Sequence, residues 1–217
     1  MKRLSRLAGI AALLLLVTWL GACSDSKPQL PLLSADAVIL AFGDSLTFGT
    51  GADREQSYPA ELARLTGLTV INAGIPGEVT AQGVRRLPAL LDRYKPQLLL
   101  LCHGGNDLLR KTGTAMTRNN IEKMISEADQ RDIPTLLIGV PQPALMFLEA
   151  APIYNEIAEQ HGLVYEGEIL PQVEADNKLK SDRIHPNAEG YRRMADAISE
   201  LLRQSGALQD AAINPGK

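Results

Sequence analysis

Ala41-Phe42-Gly43-Asp44-Ser45-Leu46-Thr47-Phe48-Gly49 follows the apolar run Ala37-Val38-Ile39-Leu40. That run is short, rich in branched side chains and closed by a glycine, the pattern of a buried strand. A strand ending in Gly-Asp-Ser-Leu sets a hydroxyl on a tight turn at the carboxyl edge of a sheet, where open α/β sheets place their ligands. Serine alone is a poor nucleophile, so a base and an oxyanion site must exist elsewhere in the chain if Ser45 is to act.

The rest of the chain alternates in the same way. Tyr58–Leu65 has a helical pattern, with Pro59 suited to its first turn and Gly67 placed to end it. Leu68–Asn72 reads as a second strand, closed by Ala73-Gly74-Ile75-Pro76-Gly77. Thr80–Tyr94 reads as a helix with irregularities expected at Gly83 and Pro88, and Gln97–Leu101 as a third strand with no polar face. Helices are expected over Arg118–Arg131, Pro152–Gln160 and Pro186–Arg203, and strands over Thr135–Val140 and Leu163–Tyr165. Strands and helices in alternation, with continuous apolar strands, predict a parallel sheet covered on both faces. Right-handed crossovers leave few topologies, and a three-layer α/β/α fold with a flavodoxin-like five-stranded parallel sheet is expected.

Composition suits one globular domain: 217 residues, 45% hydrophobic and 22% charged, with a net charge of −3. Charges of both signs are interspersed and only 4% of residues are aromatic. A basic stripe and stacking platforms are both missing, which argues against a nucleic-acid partner. The two cysteines, Cys23 and Cys102, sit in different settings and do not read as a disulfide framework.

The first residues read as a targeting segment. Lys2, Arg3 and Arg6 form a positive head, and Leu7–Leu20 an apolar core of 14 residues, short of the roughly 20 that a permanent span needs. The core ends in Leu20-Gly21-Ala22-Cys23, which resembles the lipobox of bacterial lipoproteins. The resemblance implies cleavage before Cys23 and a diacylglyceryl thioether on its sulfur. Ordinary secretory cleavage and an uncleaved anchor are the alternatives. Ser24 after the cysteine implies, by the same resemblance, sorting to the outer membrane of the cell envelope. Residues 1–22 are then a signal peptide, 23–36 a tether, 37–205 the domain and 206–217 a flexible tail, and the mature chain has 217 − 22 = 195 residues.

Four segments follow expected strands: Ser45, then Gly74–Gly77, then Gly104-Gly105-Asn106-Asp107, and finally Asp182-Arg183-Ile184-His185-Pro186 before the last helix. A doubly wound sheet brings all four to one edge. With these motifs in this order the chain resembles the SGNH (GDSL) hydrolases, and within them the bacterial thioesterase/lysophospholipase/arylesterase branch, from about Val38 to the last helix. The resemblance implies a serine esterase acting on carboxylic esters or thioesters through an acyl-enzyme. Ser45 would be the nucleophile, His185 the general base and Asp182 the residue that orients the imidazole. Ser45, Gly77 and Asn106 would bind the oxyanion. The Gly-x-Ser-x-Gly elbow of α/β-hydrolases is not present at Ser45.

Asp44 and Asp107 read as loop-bracing acceptors, and Cys102 as a buried free thiol. His161, before Gly162 at a helix end, reads as structural. Two readings of His103 stand: it faces the site, or it packs behind it. Leu145, Met146 and Phe147 lie in an apolar loop after the fourth strand, either as an acyl-chain wall or as packing under the loop. No metal-ligand spacing appears and no cofactor is implied. The expected partners are a small ester or acyl substrate and, through Cys23, a membrane. A carbohydrate or peptidoglycan O-acetylesterase and a lipoprotein that binds without turnover remain the competing functions.

Overall fold

Strands without a polar face can be buried only between two covering layers. In the computed structural model, which describes residues 27–142 and 149–209, five strands do this. They are β1 (Val38–Gly43), β2 (Thr69–Gly74), β3 (Leu98–Cys102), β4 (Thr135–Ile138) and β5 (Val164–Glu166). The order is β2-β1-β3-β4-β5, all parallel, the flavodoxin-like arrangement expected from the alternation. Every residue of β3 and β4 is buried, whereas β2, at one edge, is only partly covered.

The helices are α1 (Ser45–Phe48), α2 (Tyr58–Thr66), α3 (Thr80–Tyr94), α4 (Gly105–Arg110), α5 (Thr114–Asp129), α6 (Pro152–His161), α7 (Ile169–Ala175) and α8 (Ala188–Gln204). On one side α2 and α7 pack on α8; on the other, α3 and α6 pack on α5. The chain changes sides between β1 and β3, so loops after neighbouring strands diverge there and leave a crevice.

Boundaries moved where apolar periodicity is weak. The helix expected from Arg118 begins at Thr114, because Gly113 and the exposed residues Thr114–Met116 carry no period-3.6 signal. The short helices α4 and α7 were not expected; six or seven residues do not display a periodic pattern. Helix α3 runs unbroken through Pro88, whose ring nitrogen cannot donate to the carbonyl one turn back. The irregularity expected at Gly83 is likewise not seen; the glycine is there for packing, since a Cβ would lie 2.7 Å from His103 Nε2.

The folded body begins earlier than Ala37. Leu30 N–H donates to the Ser205 carbonyl at 2.8 Å and Leu33 N–H to that of Ala207 at 2.9 Å. Leu30, Leu33 and Ala207 are buried, so the second half of the expected tether and the first residues of the expected tail are docked on each other. Cys23, the expected leader 1–22, residues 210–217 of the expected tail, and Leu145, Met146 and Phe147 fall outside the described residues.

The docked segment should stabilise the domain. A protein starting at Ser34 should unfold more easily than one starting at Lys27 by about 3 kcal/mol, given two largely buried leucines. Urea denaturation of the two would measure it; equal midpoints would show that residues 27–33 contribute nothing.

Candidate active site

Ser45 is the first residue of α1, and the turn before it is held by Asp44, whose Oδ1 accepts from the Leu46 N–H at 3.1 Å. This is an N-cap bond, favoured because the first N–H groups of a helix have no internal acceptor. The Ser45 hydroxyl takes no part in the cap, and Ser45 lines the crevice.

His185 reaches Ser45 from the loop ahead of α8. That loop is braced by Ser181 N–H donating to the His185 carbonyl at 2.9 Å and by the Asn187 side chain donating to the Lys178 carbonyl at 2.8 Å. His185 Nε2 stands 3.0 Å from Ser45 Oγ, and His185 Nδ1 stands 2.7 Å from Asp182 Oδ2. The other Asp182 oxygen accepts the backbone N–H groups of Ile184 at 2.9 Å and His185 at 2.8 Å. Partial burial raises the Asp182 pKa, but the His185 bond and the two backbone donors outweigh it and bring it to about 2. An ionised Asp182 accepts only, so Nδ1 carries a proton and Nε2 is free to accept from the Ser45 hydroxyl.

The donors named for an oxyanion face the same crevice. The N–H groups of Ser45 and Gly77 have no acceptor among the described residues. Gly77 adopts φ +78°, which a side chain would strain, in an exposed loop. Asn106 Nδ2 donates to the Glu78 carbonyl at 3.0 Å and, over a longer 3.3 Å, to Asp44 Oδ2. Asp44 is therefore a competing acceptor at this corner; burial is the main cause that raises its pKa, against the pull of His103, the Leu46 N–H, His185 and Asn106. The hydrogen on the long bond is the one that an oxyanion can take over.

Asp107 braces, as expected: its carboxylate accepts from Thr80 N–H at 2.8 Å and Thr80 Oγ1 at 2.6 Å, at the start of α3. Cys102 is wholly buried, and burial first, then Asp44, pushes its thiol pKa well up, which keeps it neutral. His103 has no solvent exposure and does not line the crevice; it packs behind it, against Glu78. His161 is the last residue of α6. Gly74 is the last residue of β2 and lies against the Phe48 backbone, so its part is packing.

Sequence reading missed two groups. Glu78 is buried and gripped by Arg86, through Nε at 2.9 Å and Nη2 at 2.6 Å. Burial would raise its pKa; the His103 and Arg86 bonds prevail and lower it. The signal was an acid next to Gly77 and an arginine eight residues on, too common a pattern to notice. Glu174, on α7, lines the crevice at 8% exposure with no hydrogen bond among the described residues. Nothing in the sequence set it apart, because α7 itself was not foreseen. The crevice is otherwise largely apolar, walled by Leu46, Pro76, Leu109, Val140, Pro141 and Ile184. Among the described residues no cluster of three or more His, Cys, Asp or Glu could hold a metal ion.

A serine, a histidine and an aspartate thus stand in hydrogen-bonded series beside unpaired backbone donors, at the carboxyl edge of a doubly wound sheet. The chain belongs to the GDSL-like lipase/acylhydrolase family, whose profile matches residues 41–193. It is similar to an arylesterase of Vibrio mimicus, 30% identical over 181 residues that span 77% of this chain and 89% of that one. It is likewise similar to esterase TesA of Pseudomonas aeruginosa, 29% identical over 180 residues, 78% of this chain and 90% of that one. Among solved structures, AlinE4, an SGNH-hydrolase family esterase, is similar at a TM-score of 0.59 and 34% identity, over 80% of this chain and 98% of that one. The chain is an SGNH/GDSL-type hydrolase with esterase relatives.

Glu174 generates a pH signature. Burial lifts its pKa from 4.5 to about 7, with Lys180 pulling the other way. A carboxyl whose folded pKa is raised stabilises the fold fully below pH 4.5 and loses that contribution as pH rises through about 7. The loss is on the order of 3 kcal/mol. Glu174→Gln should therefore gain stability relative to the parent by that order between pH 4.5 and pH 8.5 in urea melts. A pH-independent difference would contradict the buried, unpaired carboxyl.

Proposed function

We propose that the chain is a serine esterase in which Ser45, His185 and Asp182 act as a triad and form an acyl-enzyme. The observation that carries this is the hydrogen-bonded series from Ser45 Oγ to His185 Nε2 at 3.0 Å and from His185 Nδ1 to Asp182 at 2.7 Å. Ser45 Oγ attacks the carbonyl carbon of the ester while His185 Nε2 takes its proton. Asp182, ionised at any working pH, holds the ring and stabilises the imidazolium. The carbonyl oxygen becomes an oxyanion and is met by the N–H groups of Ser45 and Gly77 and by Asn106 Nδ2. The tetrahedral intermediate collapses, the bond to the leaving alcohol or thiol breaks, and His185 returns its proton to that group. Water then attacks acyl-Ser45 with His185 as base, releasing the acid and restoring the serine.

The apolar walls of the crevice favour an acyl chain or an aryl group over a bare acetyl unit. This supports the lipid, thioester or arylester readings ahead of a glycan O-acetylesterase. Leu145, Met146 and Phe147 follow Pro141 and Gln142 of that wall in sequence and belong to the same proposed acyl site.

We further propose that Cys23 carries a lipid that attaches the mature protein to the cell envelope. The support is the Leu20-Gly21-Ala22-Cys23 motif after an apolar core. Leu33 sits beside Gln97, Ile133 and Pro134, at the amino ends of β3 and β4 and therefore opposite the crevice. A protein held there presents its crevice away from the point of attachment.

Two measurements test these proposals. Across p-nitrophenyl esters from acetyl to palmitoyl, a medium- or long-chain optimum is expected. Ser45→Ala should fold normally, lose about 10⁴-fold or more in kcat and resist fluorophosphonate labelling. A sharp acetyl preference would favour the glycan esterase, and an unlabelled, inactive parent would favour a binding lipoprotein. Separately, bacterial cells expressing the full chain should incorporate labelled palmitate, and Cys23→Ser should abolish it; incorporation that survives the substitution would exclude Cys23 as the acceptor.

A further inference from the structure

Of the three oxyanion donors proposed above, Asn106 and Gly77 sit on segments of unequal firmness. Asn106 belongs to α4, directly after the central strand β3. Gly77 belongs to an exposed loop in which Ile75, Pro76 and Gly77 all face solvent. Such a loop has little packing of its own, yet a backbone N–H acts on an oxyanion only if its direction is fixed beforehand. One end of the loop is tied by the Ile75 N–H, which donates to the Gly43 carbonyl at 3.1 Å. The other end is Glu78.

Glu78 is tied twice to the β3 side. Its carbonyl accepts from Asn106 Nδ2 at 3.0 Å, and its carboxylate meets His103 Nε2 at 3.2 Å. The His103 ring has no solvent exposure, and its Nδ1 accepts the Gly104 N–H at 2.9 Å. Nδ1 therefore carries the lone pair and Nε2 carries the proton, so the ring donates to Glu78. The His103 carbonyl in turn accepts from the Tyr154 hydroxyl at 2.8 Å, which fixes the residue to α6. Gly83 leaves the space that the ring fills.

Arg86 also holds the Glu78 carboxylate, and it donates to the Ala73 carbonyl at 3.0 Å with its guanidinium 4.2 Å over the Phe42 ring. Arg86 lies on α3, just after the Gly77 loop, so its grip orients Glu78 without tying it to β3. Arg110 of α4 also donates to the Gly77 carbonyl, at 3.1 Å, but from an exposed position. Among the side chains that hold the Glu78 carboxylate, His103 alone joins the loop to β3.

We propose that His103 is a positioning residue for catalysis: by tying Glu78 to the end of β3, its ring fixes the Gly77 N–H relative to Asn106 and so preorganises the oxyanion site. The inference rests on the assignment of Gly77 and Asn106 as oxyanion donors. It extends that assignment to a buried residue that touches neither substrate nor Ser45. A misdirected donor weakens the transition state more than the ground state, so the effect belongs in kcat.

The test compares the parent, His103→Leu and His103→Gln with p-nitrophenyl butyrate, and measures inhibition by an alkyl boronic acid, which forms a tetrahedral anionic adduct on the serine. His103→Leu removes the donor while keeping an apolar filler; its kcat should fall about ten- to a hundredfold with KM within about twofold. Boronate affinity should fall in parallel. His103→Gln places an amide N–H near the position of Nε2 and should recover most of kcat, whatever its melting temperature. Unchanged kcat in a folded His103→Leu would overturn the proposal, as would a loss of stability unaccompanied by any change in boronate affinity. If His103→Leu does not fold, Glu78→Gln carries the test: it keeps the backbone carbonyl for Asn106 but weakens the bond to His103, and must lower kcat and boronate affinity together. An inactive parent would instead defeat the assignment of the esterase site, which separates the two failures.

Discussion

Parallel pairing aligns Gly74, Gly43 and Cys102 in one row across β2, β1 and β3, and the chemistry depends on that row. The segments that carry Gly77, Ser45 and Asn106 all leave the sheet from it. A slip of one residue in either ladder would move a whole strand's side chains to the opposite face. The register is held because Ile39, Leu40, Ala41 and Phe42 of β1 and Leu98–Leu101 of β3 have no solvent exposure, so no shift leaves their burial intact. Hydrophobic burial, which is non-directional, thus becomes positional accuracy at the sheet edge through hydrogen-bonded register.

Polar groups sharpen what the sheet sets approximately. Four acidic side chains stand around the site with partners suited to them. Asp44 caps α1, Asp107 holds the start of α3, Glu78 binds Arg86 and His103, and Asp182 binds His185 and two backbone donors. A buried carboxylate is tolerated only when donors satisfy it, and then it rigidifies what it touches. Asp44, Asp107 and Glu78 are buried and fix backbone segments in this way, while the exposed Asp182 holds an imidazole and the turn that carries it. Glu174 departs from the pattern, buried at the crevice wall with no hydrogen bond among the described residues, and its raised pKa reflects that.

The family match spans residues 41–193, and the strands and longer helices inside it largely follow their apolar periodicity, the short α4 and α7 excepted. Outside it, residues 30–33 extend the body on the side opposite the crevice, where they meet the end of α8. Residues 30–33 and the crevice are thus separated by the length of the strands. That separation arises because β1 begins where the amino-terminal segment docks and ends where Ser45 begins.

Much was legible in the residues alone. Continuous apolar runs such as Leu98–Leu101 can be buried only in a parallel sheet covered on both faces, and Gly-Asp-Ser-Leu, Gly-Gly-Asn-Asp and Asp-Arg-Ile-His each carry their chemistry within a few residues. The sequence by itself therefore determined the fold class and strand order, and its motifs singled out Ser45, Gly77, Asn106, Asp182 and His185 as candidates, which line one crevice. The role of His103, the grip of Arg86 on Glu78, the burial of Glu174 and the docking of Leu30 and Leu33 were not legible. Each is a contact between segments distant in sequence or lies on an element too short to show a period. Only the tertiary structure decided them, because a side chain's partner across a fold is set by packing and register, which no local pattern encodes.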